Sequence, residues 1–306
     1  MINEHLSAYF GKPVVDFGME DSCEGFADVA IRLRCSYDEP HTISDLLSRL
    51  VRQRGIETLE ALIFGVWMEG GEAVDVTPDA AVEHIVAERE KLSGLRALFF
   101  GDIVSEENEI SWINQGNMAP LWAAFPRLER FGARGSEGLR LGRINHSTLS
   151  HLSFETGGMR SELTREVMET NAPLTHLELW LGTDDYGGTT TLEDLEPLLD
   201  GELFPDLRYL GLRNCDYGDK LAEAVAKSVI LSRVDVLDLS LGNVGDRGAT
   251  ALAQSGQLGH LTRLDVTHHF ISDDTVNALA EKTPNLVAED RQEPYDDEYL
   301  HIAVSE

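Results

Sequence analysis

The sequence predicts an α/β solenoid in which short parallel strands stack side by side and helices return the chain along the opposite face. Three observations carry this. Between Leu207 and Ala280 the chain repeats every 27 residues, so Leu210, Leu237 and Leu264 share one column and Asp219, Asp246 and Asp273 another. Each repeat opens on one apolar phrase (Leu207-x-x-Leu210-x-Leu212, Val234-x-x-Leu237-x-Leu239, Leu261-x-x-Leu264-x-Val266), and residues two apart on an extended chain point to the same side. A turn follows, then a run with apolar residues three and four apart, the spacing of an amphipathic helix. A unit this short cannot bury its apolar flank alone, so it must stack on neighbours.

Weaker copies of the phrase begin at Leu59, Leu95, Leu128, Leu149 and Leu174. The first positions of the eight copies step by 36, 33, 21, 25, 33, 27 and 27 residues, so the longer steps should hold insertions. Residues 1–54 are read as an N-terminal cap, with Val29 to Leu33 as edge strand and Ile43 to Leu50 as its helix. Residues 55–285 form the repeats. Helical spacing recurs in Ala80 to Leu92, Leu163 to Met168, Leu192 to Leu199 and Leu221 to Ile230. Between Phe131 and Leu149 the step is too short for a helix and both turns, so 138–141 should return extended. In Gly245 to Ala253, Asp246 is placed as the N-cap of its helix, with Asp219 and Asp273 in the same slot. Pro284-Asn-Leu286 starts another repeat, but Glu289 stands where the next leucine belongs. Residues 286–306 are a C-terminal cap or an acidic tail: 289–306 hold seven acids and one Arg, yet Tyr299 to Val304 alternates like a strand.

The phrase Gly-Asp-x-Gly-Ala-x-x-Leu-Ala at Gly245 to Ala253, after Leu237-Asp-Leu239, resembles the ribonuclease-inhibitor-like leucine-rich-repeat family, with Cys215 in its Asn/Cys turn position. This likeness covers roughly Leu59 to Ala280 and is most specific in the last three repeats. The opening His5-Leu6-x-x-Tyr9-x-Gly11-x-Pro13-Val14, with Asp16-Phe17 behind it, is similar to that of a family of uncharacterised bacterial cytoplasmic leucine-rich-repeat proteins. The resemblance implies one curved leucine-rich-repeat solenoid, with a parallel sheet on the concave face, helices on the convex face and protein binding through the sheet. The repeats lack the alternating long and short lengths of the vertebrate inhibitors, so no particular ligand carries over.

The charge is −29, from 25 Lys and Arg against 54 Asp and Glu, which repels nucleic acid and anionic membranes. A protein partner, basic rather than acidic, fits better. Charge is also segregated: 166–206 holds eleven acids and no Lys or Arg, whereas 127–165 holds seven Arg against four acids. No secretory signal and no apolar run of the ~18–20 residues a membrane helix needs is found, so the expected compartment is cytoplasmic. Cys23, Cys35 and Cys215 show no metal-type spacing between them and suit reduced thiols.

In the register L-x-x-L-x-L-x, the third, fifth and seventh positions face away from the leucines, and adjacent repeats stack them ~4.8 Å apart. The third column reads Ala61, Ala97, Arg130, His151, His176, Tyr209, Val236, Arg263. The fifth reads Ile63, Phe99, Gly132, Ser153, Glu178, Gly211, Asp238, Asp265. The seventh reads Gly65, Gly101, Arg134, Glu155, Trp180, Arg213, Ser240, Thr267. The expected protein-binding face is therefore Arg130, Arg134, His151, His176, Glu178, Trp180, Tyr209, Arg213, Asp238, Arg263 and Asp265, a mixture of aromatics and arginines common at interface centres. Local pairing is the rival reading for Trp180 with Arg213, Arg213 with Asp238, and Arg263 with Asp265. The apolar start of the face, Ala61, Ile63, Ala97 and Phe99, is expected to lie under an N-terminal loop.

The reading is a non-enzymatic scaffold with no cofactor, a monomer being favoured although the sequence leaves the oligomeric state open. Three alternatives stand beside it. One is an acidic inhibitor or immunity-like protein for a basic enzyme. Another, by analogy with a branch of the resembled family, is a GTPase-activating protein. The third is a metal enzyme using His151, His176 and Glu178, with Glu155 nearby. Ser153 between histidine columns invites a hydrolase reading, but the sequence shows neither an oriented base nor oxyanion donors for it. His268, His269 and Cys215 are read as turn residues. Gly65, Gly70-Gly71, Gly157-Gly158 and Gly187-Gly188 are read as turns, since none precedes Lys-Ser/Thr.

Overall fold

A computed structural model describes residues 2–36, 39–67, 76–283, 285–295 and 300–306. Gly70-Gly71, Pro284 and Tyr299 lie outside these. Twelve strands and eight helices are found among the described residues. They fall into two compact units, an N-terminal one of 2–153 with 169–172 and a C-terminal one of 154–168 with 173–306. The N-terminal unit carries β1 (Ala8–Tyr9), β2 (Lys12–Asp16), β3 (Ala30–Cys35), β4 (Ala61–Trp67), β5 (Ala97–Phe100) and β6 (Arg130–Arg134). Strand β7 (His151–Glu155) spans the boundary. The C-terminal unit carries β8 (His176–Gly182), β9 (Tyr209–Cys215), β10 (Val236–Asp238), β11 (Arg263–Asp265) and β12 (Leu286–Val287). Within each unit the strands follow chain order; β2 to β6 and β8 to β12 pair in parallel, and β1–β2 is an antiparallel hairpin.

The strand register follows the leucine columns. Ala61, Ala97 and Arg130 pair in succession across neighbouring strands of the N-terminal unit, as do His176, Tyr209, Val236 and Arg263 in the C-terminal unit. One residue further on, Leu62, Leu98, Phe131, Leu177, Leu210, Leu237 and Leu264 are wholly buried. A slip of one residue would turn every one of these outward, so burial pins the register. In the N-terminal unit the Phe64 and Phe100 rings stack at 4.5 Å, and Trp122 meets Phe131 edge-on at 5.1 Å.

The helices are α1 (Ile43–Leu50), α2 (Asp79–Ala87), α3 (Ala119–Ala124), α4 (Ser161–Met168), α5 (Leu192–Leu199), α6 (Gly218–Ala226), α7 (Asp246–Gln254) and α8 (Asp273–Ala280). Both α1 and α5 start on reciprocal capping boxes, Thr42 with Asp45 and Thr191 with Asp194. No helix lies between β6 and β7, where the chain returns through isolated bridges at Glu137 and Arg140. Two of the long repeat steps hold 3-10 turns, Ile110–Trp112 and Asp184–Tyr186.

The aspartate column works differently from a local N-cap. Asp246 is the first residue of α7, whose N-cap is Gly245, and its carboxylate reaches the next repeat, accepting from Ser272 N at 2.7 Å and Ser272 Oγ at 2.9 Å. Asp219 likewise accepts from Gly245 N and Gly248 N, both at 2.8 Å. Each aspartate therefore satisfies amide donors at the start of the following helix, groups that have no partner within that helix. The helices must sit close for this. A Cβ on Gly248 would lie 2.8 Å from Asp219 Oδ1 and 2.9 Å from the Ala222 Cβ. Gly248→Ala is expected to destabilise by about 1–3 kcal/mol despite the better helix propensity of alanine, read as a lower urea midpoint. A midpoint at or above wild type would show that the helices have room to spare.

The ends depart from the simple cap. Strand β2 pairs outside β3, so Val29 to Leu33 belongs to an interior strand rather than an edge. Leu6, Tyr9 and Phe10 pack over Ala61, Ile63, Ala97 and Phe99, and the Tyr9 hydroxyl donates to Leu98 O at 2.7 Å. The N-terminal segment thus covers the apolar start of the sheet face. At the other end, residues 300–306 form no strand, yet Ile302 and Val304 are buried.

Candidate functional site

On the C-terminal unit, the sheet face opposite the leucines gathers most of the expected residues. His176, Glu178 and Trp180 alternate on β8, Tyr209 and Arg213 on β9, Asp238 on β10, and Arg263 with Asp265 on β11. The His176 and Tyr209 rings stack at 3.9 Å and are nearly parallel at 5°. Gly211 makes this possible, since a Cβ there would press on the Tyr209 ring and hydroxyl at 3.1–3.2 Å. The phenol lies across the glycine and donates to Asp238 at 2.8 Å, with Glu178 at 3.3 Å.

Glu178 is the hub. One oxygen accepts from Trp180 Nε1 at 2.7 Å and Arg213 Nη1 at 2.8 Å, and the other faces Tyr209 and His176 Nε2. Burial alone would push its carboxyl up, but His176, Arg213 and Trp180 outweigh burial and hold it down at about 2. Burial likewise opposes the charge on Arg213, but Glu178 and Asp238 keep its pKa above the ordinary value. Burial, then Glu178 and Asp238, raise Tyr209, which stays a neutral donor. With both oxygens engaged, Glu178 would have to give up these donors to bind a metal.

Four of the expected face residues are buried: Arg134, Trp180, Asp238 and Asp265. The Arg213 guanidinium lies 5.0 Å over the Trp180 ring, the local pairing anticipated from sequence. Asp238 and Asp265 each accept from the backbone two residues on, Ser240 N and Thr267 N, shaping the strand ends. Arg263 pairs with Asp265. Solvent still reaches His176 and Arg213, each 22% exposed, and Arg263, 52% exposed.

Arg130, Arg134 and His151 belong to the N-terminal unit. Arg130 lies over the Tyr9 ring at 5.6 Å, and His151 Nδ1 contacts Ser150 Oγ at 2.8 Å. Arg134 donates to Ile103 O at 2.7 Å and stands 3.7 Å from Asp102. Asp102, wholly buried, is the residue that sequence reasoning missed. It accepts from Leu6 N at 3.1 Å and Arg32 Nη1 at 2.7 Å, clipping the N-terminal segment down. No short motif announces it, because its partners lie 70 and 96 residues away.

The end of β9 and the turns after β10 and β11 make a second row. Asn214, Leu241 and His268, again 27 apart, all take positive φ, at 52°, 66° and 62°. They hold residues 300–304. Asn214 binds both Val304 N and Val304 O, Leu241 O accepts from Ala303 N at 2.8 Å, and His268 Nε2 contacts His301 O at 3.2 Å. Asn243 adds a bond to Leu300 O at 3.0 Å. Asp184, Asp185 and Asp216 line a cavity of roughly 450 Å³ together with Leu300 and Ile302. His269 Nδ1 accepts from Ile271 N at 3.0 Å, consistent with a turn role. Burial lowers the pKa of His268 and His269 and raises that of the Cys215 thiol, away from nucleophilic use. Cys215 is a buried turn residue as expected, bonded at its thiol by the Tyr217 backbone and at its carbonyl by Asn243 N at 3.1 Å, while its neighbour Asn214 holds Val304.

No family model and no curated protein matches the sequence. The chain is similar to a Bacteroides fragilis protein whose crystal structure was solved as a structural genomics target. The two are 26% identical, with a TM-score of 0.81, over 91% of this chain and 78% of that one. The likeness supports an α/β architecture with a mostly parallel sheet and brings no activity with it. Among the described residues, no helix is long and apolar enough to cross a membrane.

Proposed function

We propose that the chain is built on leucine-rich repeats of the ribonuclease-inhibitor-like kind and binds another protein through the sheet face of its C-terminal unit. One observation supports this above the others. The apolar start of the corresponding face in the N-terminal unit is covered by its own Leu6, Tyr9 and Phe10, whereas His176, Arg213 and Arg263 keep contact with solvent. The network around Glu178 fixes the rotamers of His176, Tyr209 and Arg213, so little side-chain freedom remains to be lost on binding. With a net charge of −29, a basic partner is steered toward this chain, and such steering weakens as salt rises.

The test compares partners captured by wild type, by a His176→Ala, Arg263→Glu double variant, and by Lys220→Ala. Lys220 is an exposed residue of α6, outside the sheet face. A partner retained by Lys220→Ala and lost by the double variant supports the face, with capture falling as salt is added. Equal capture by all three proteins removes it.

A further inference from the structure

Three side chains that take no part in this face converge beyond the end of β3. Cys35, the last residue of β3, is wholly buried, and Glu39 and His41 follow on the connection to α1. The Cys35 Sγ, a Glu39 carboxylate oxygen and a His41 ring nitrogen all lie within 4.8 Å of one another, with His41 Nε2 3.9 Å from Glu39 Oε1. Among the described residues this is the one place where three such donors meet. Spacing between the cysteines gives no hint of it. The pattern that matters is Cys35-x-x-x-Glu39-x-His41.

We propose that Cys35, Glu39 and His41 bind a divalent cation of the zinc type. Donors at about 2.0–2.3 Å from a tetrahedral zinc stand roughly 3.3–3.8 Å apart, so closure by about 1 Å completes the set. Both ends of the chelating loop are already held. Cys35 pairs with Trp67 in the sheet, and Thr42, next to His41, forms the capping box of α1. Glu39 is oriented too: Ser36 N donates to its Oε2 at 2.6 Å, which leaves Oε1 toward His41. One thiolate, one imidazole and one carboxylate suit a borderline cation, whereas the sulfur disfavours magnesium and calcium. Three protein ligands leave the fourth position to water. Binding carries no redox change. The Cys35 thiol, which now donates to His41 O at 2.6 Å, releases its proton to solvent as the metal–sulfur bond forms.

Tag-free, metal-stripped protein titrated with Co²⁺ provides the test. Wild type is expected to take up one equivalent with a sulfur-to-cobalt charge-transfer band, which Zn²⁺ then abolishes by displacing the cobalt. Cys35→Ser should lose the band, while Cys23→Ser should keep it. Because Cys35 is buried, the decisive variants are Glu39→Gln and His41→Ala, expected to weaken Co²⁺ binding about tenfold or more with an unchanged thermal midpoint in metal-free buffer. No charge-transfer band at one equivalent in wild type overturns the proposal. So does a band that survives Cys35→Ser, or wild-type affinity in both other variants.

Discussion

Asp102→Ala is expected to cost about 3–5 kcal/mol of unfolding free energy, because it removes the wholly buried carboxylate that Arg32 and Arg134 both face. Arg32 keeps Asp16 at 2.6 Å, and Arg134, 3% exposed, keeps its bond to the Ile103 carbonyl, but the carboxylate the two guanidinium groups share is gone. The Leu6 amide loses its acceptor in the same step. The effect should therefore spread to the N-terminal segment, with faster amide exchange over 2–16 as Leu6, Tyr9 and Phe10 lift from Ala61, Ile63, Ala97 and Phe99. Asp102→Asn should fall between the two, since it preserves an acceptor for Leu6 N but not the charge. An alanine variant within about 1 kcal/mol of wild type, with unchanged exchange over 2–16, would refute the clip.

Glu178→Gln should be the other severe substitution at pH 7, costing about 3 kcal/mol in urea unfolding, because Arg213 then has Asp238 alone as its counter-charge. The amide nitrogen of glutamine would also face the donating Tyr209 hydroxyl or the Trp180 and Arg213 donors. The same carboxylate predicts an acid profile. Its folded pKa of about 2 lies below the ordinary 4.5, so the unfolded chain takes the proton first as pH falls. Its stabilisation, roughly 3 kcal/mol, is complete above 4.5 and is lost as pH drops through about 2. In Glu178→Gln, stability should fall less steeply over that interval than in wild type. Parallel profiles would mean that Glu178 is not held in its charged form by the fold.

The elements legible in the sequence are those set by contacts close in the chain or repeated along it. Helices α1 and α5 appear with the boundaries their apolar spacing gives, and the third-position column became the strand register within each unit. The grouping of His176, Glu178, Trp180, Tyr209 and Arg213 followed directly from that register. How deep each lies did not, because a column states which way a side chain points and says nothing of how far its neighbours lean over it. Trp180 is the example, laid down beneath Arg213 and tied to Glu178. Asp102 and Asn214 were illegible for a different reason. Their partners include Leu6, Arg32 and Val304, each 70 or more residues away, and such pairings leave no periodic trace.

The aspartate relay from Asp219 to Gly245 and from Asp246 to Ser272 bears on how an array of this kind changes length over evolutionary time. Each carboxylate serves the unit after its own, so excising one whole period would leave Asp219 facing Ser272, the contact Asp246 now makes. Duplicating one would insert a link with both its donor and its acceptor supplied. Gain or loss of complete 27-residue units in the last repeats is thereby a conservative event, whereas an indel of any other size orphans a carboxylate and a helix start together. The relay makes the whole repeat, rather than the residue, the smallest change this part of the gene tolerates well.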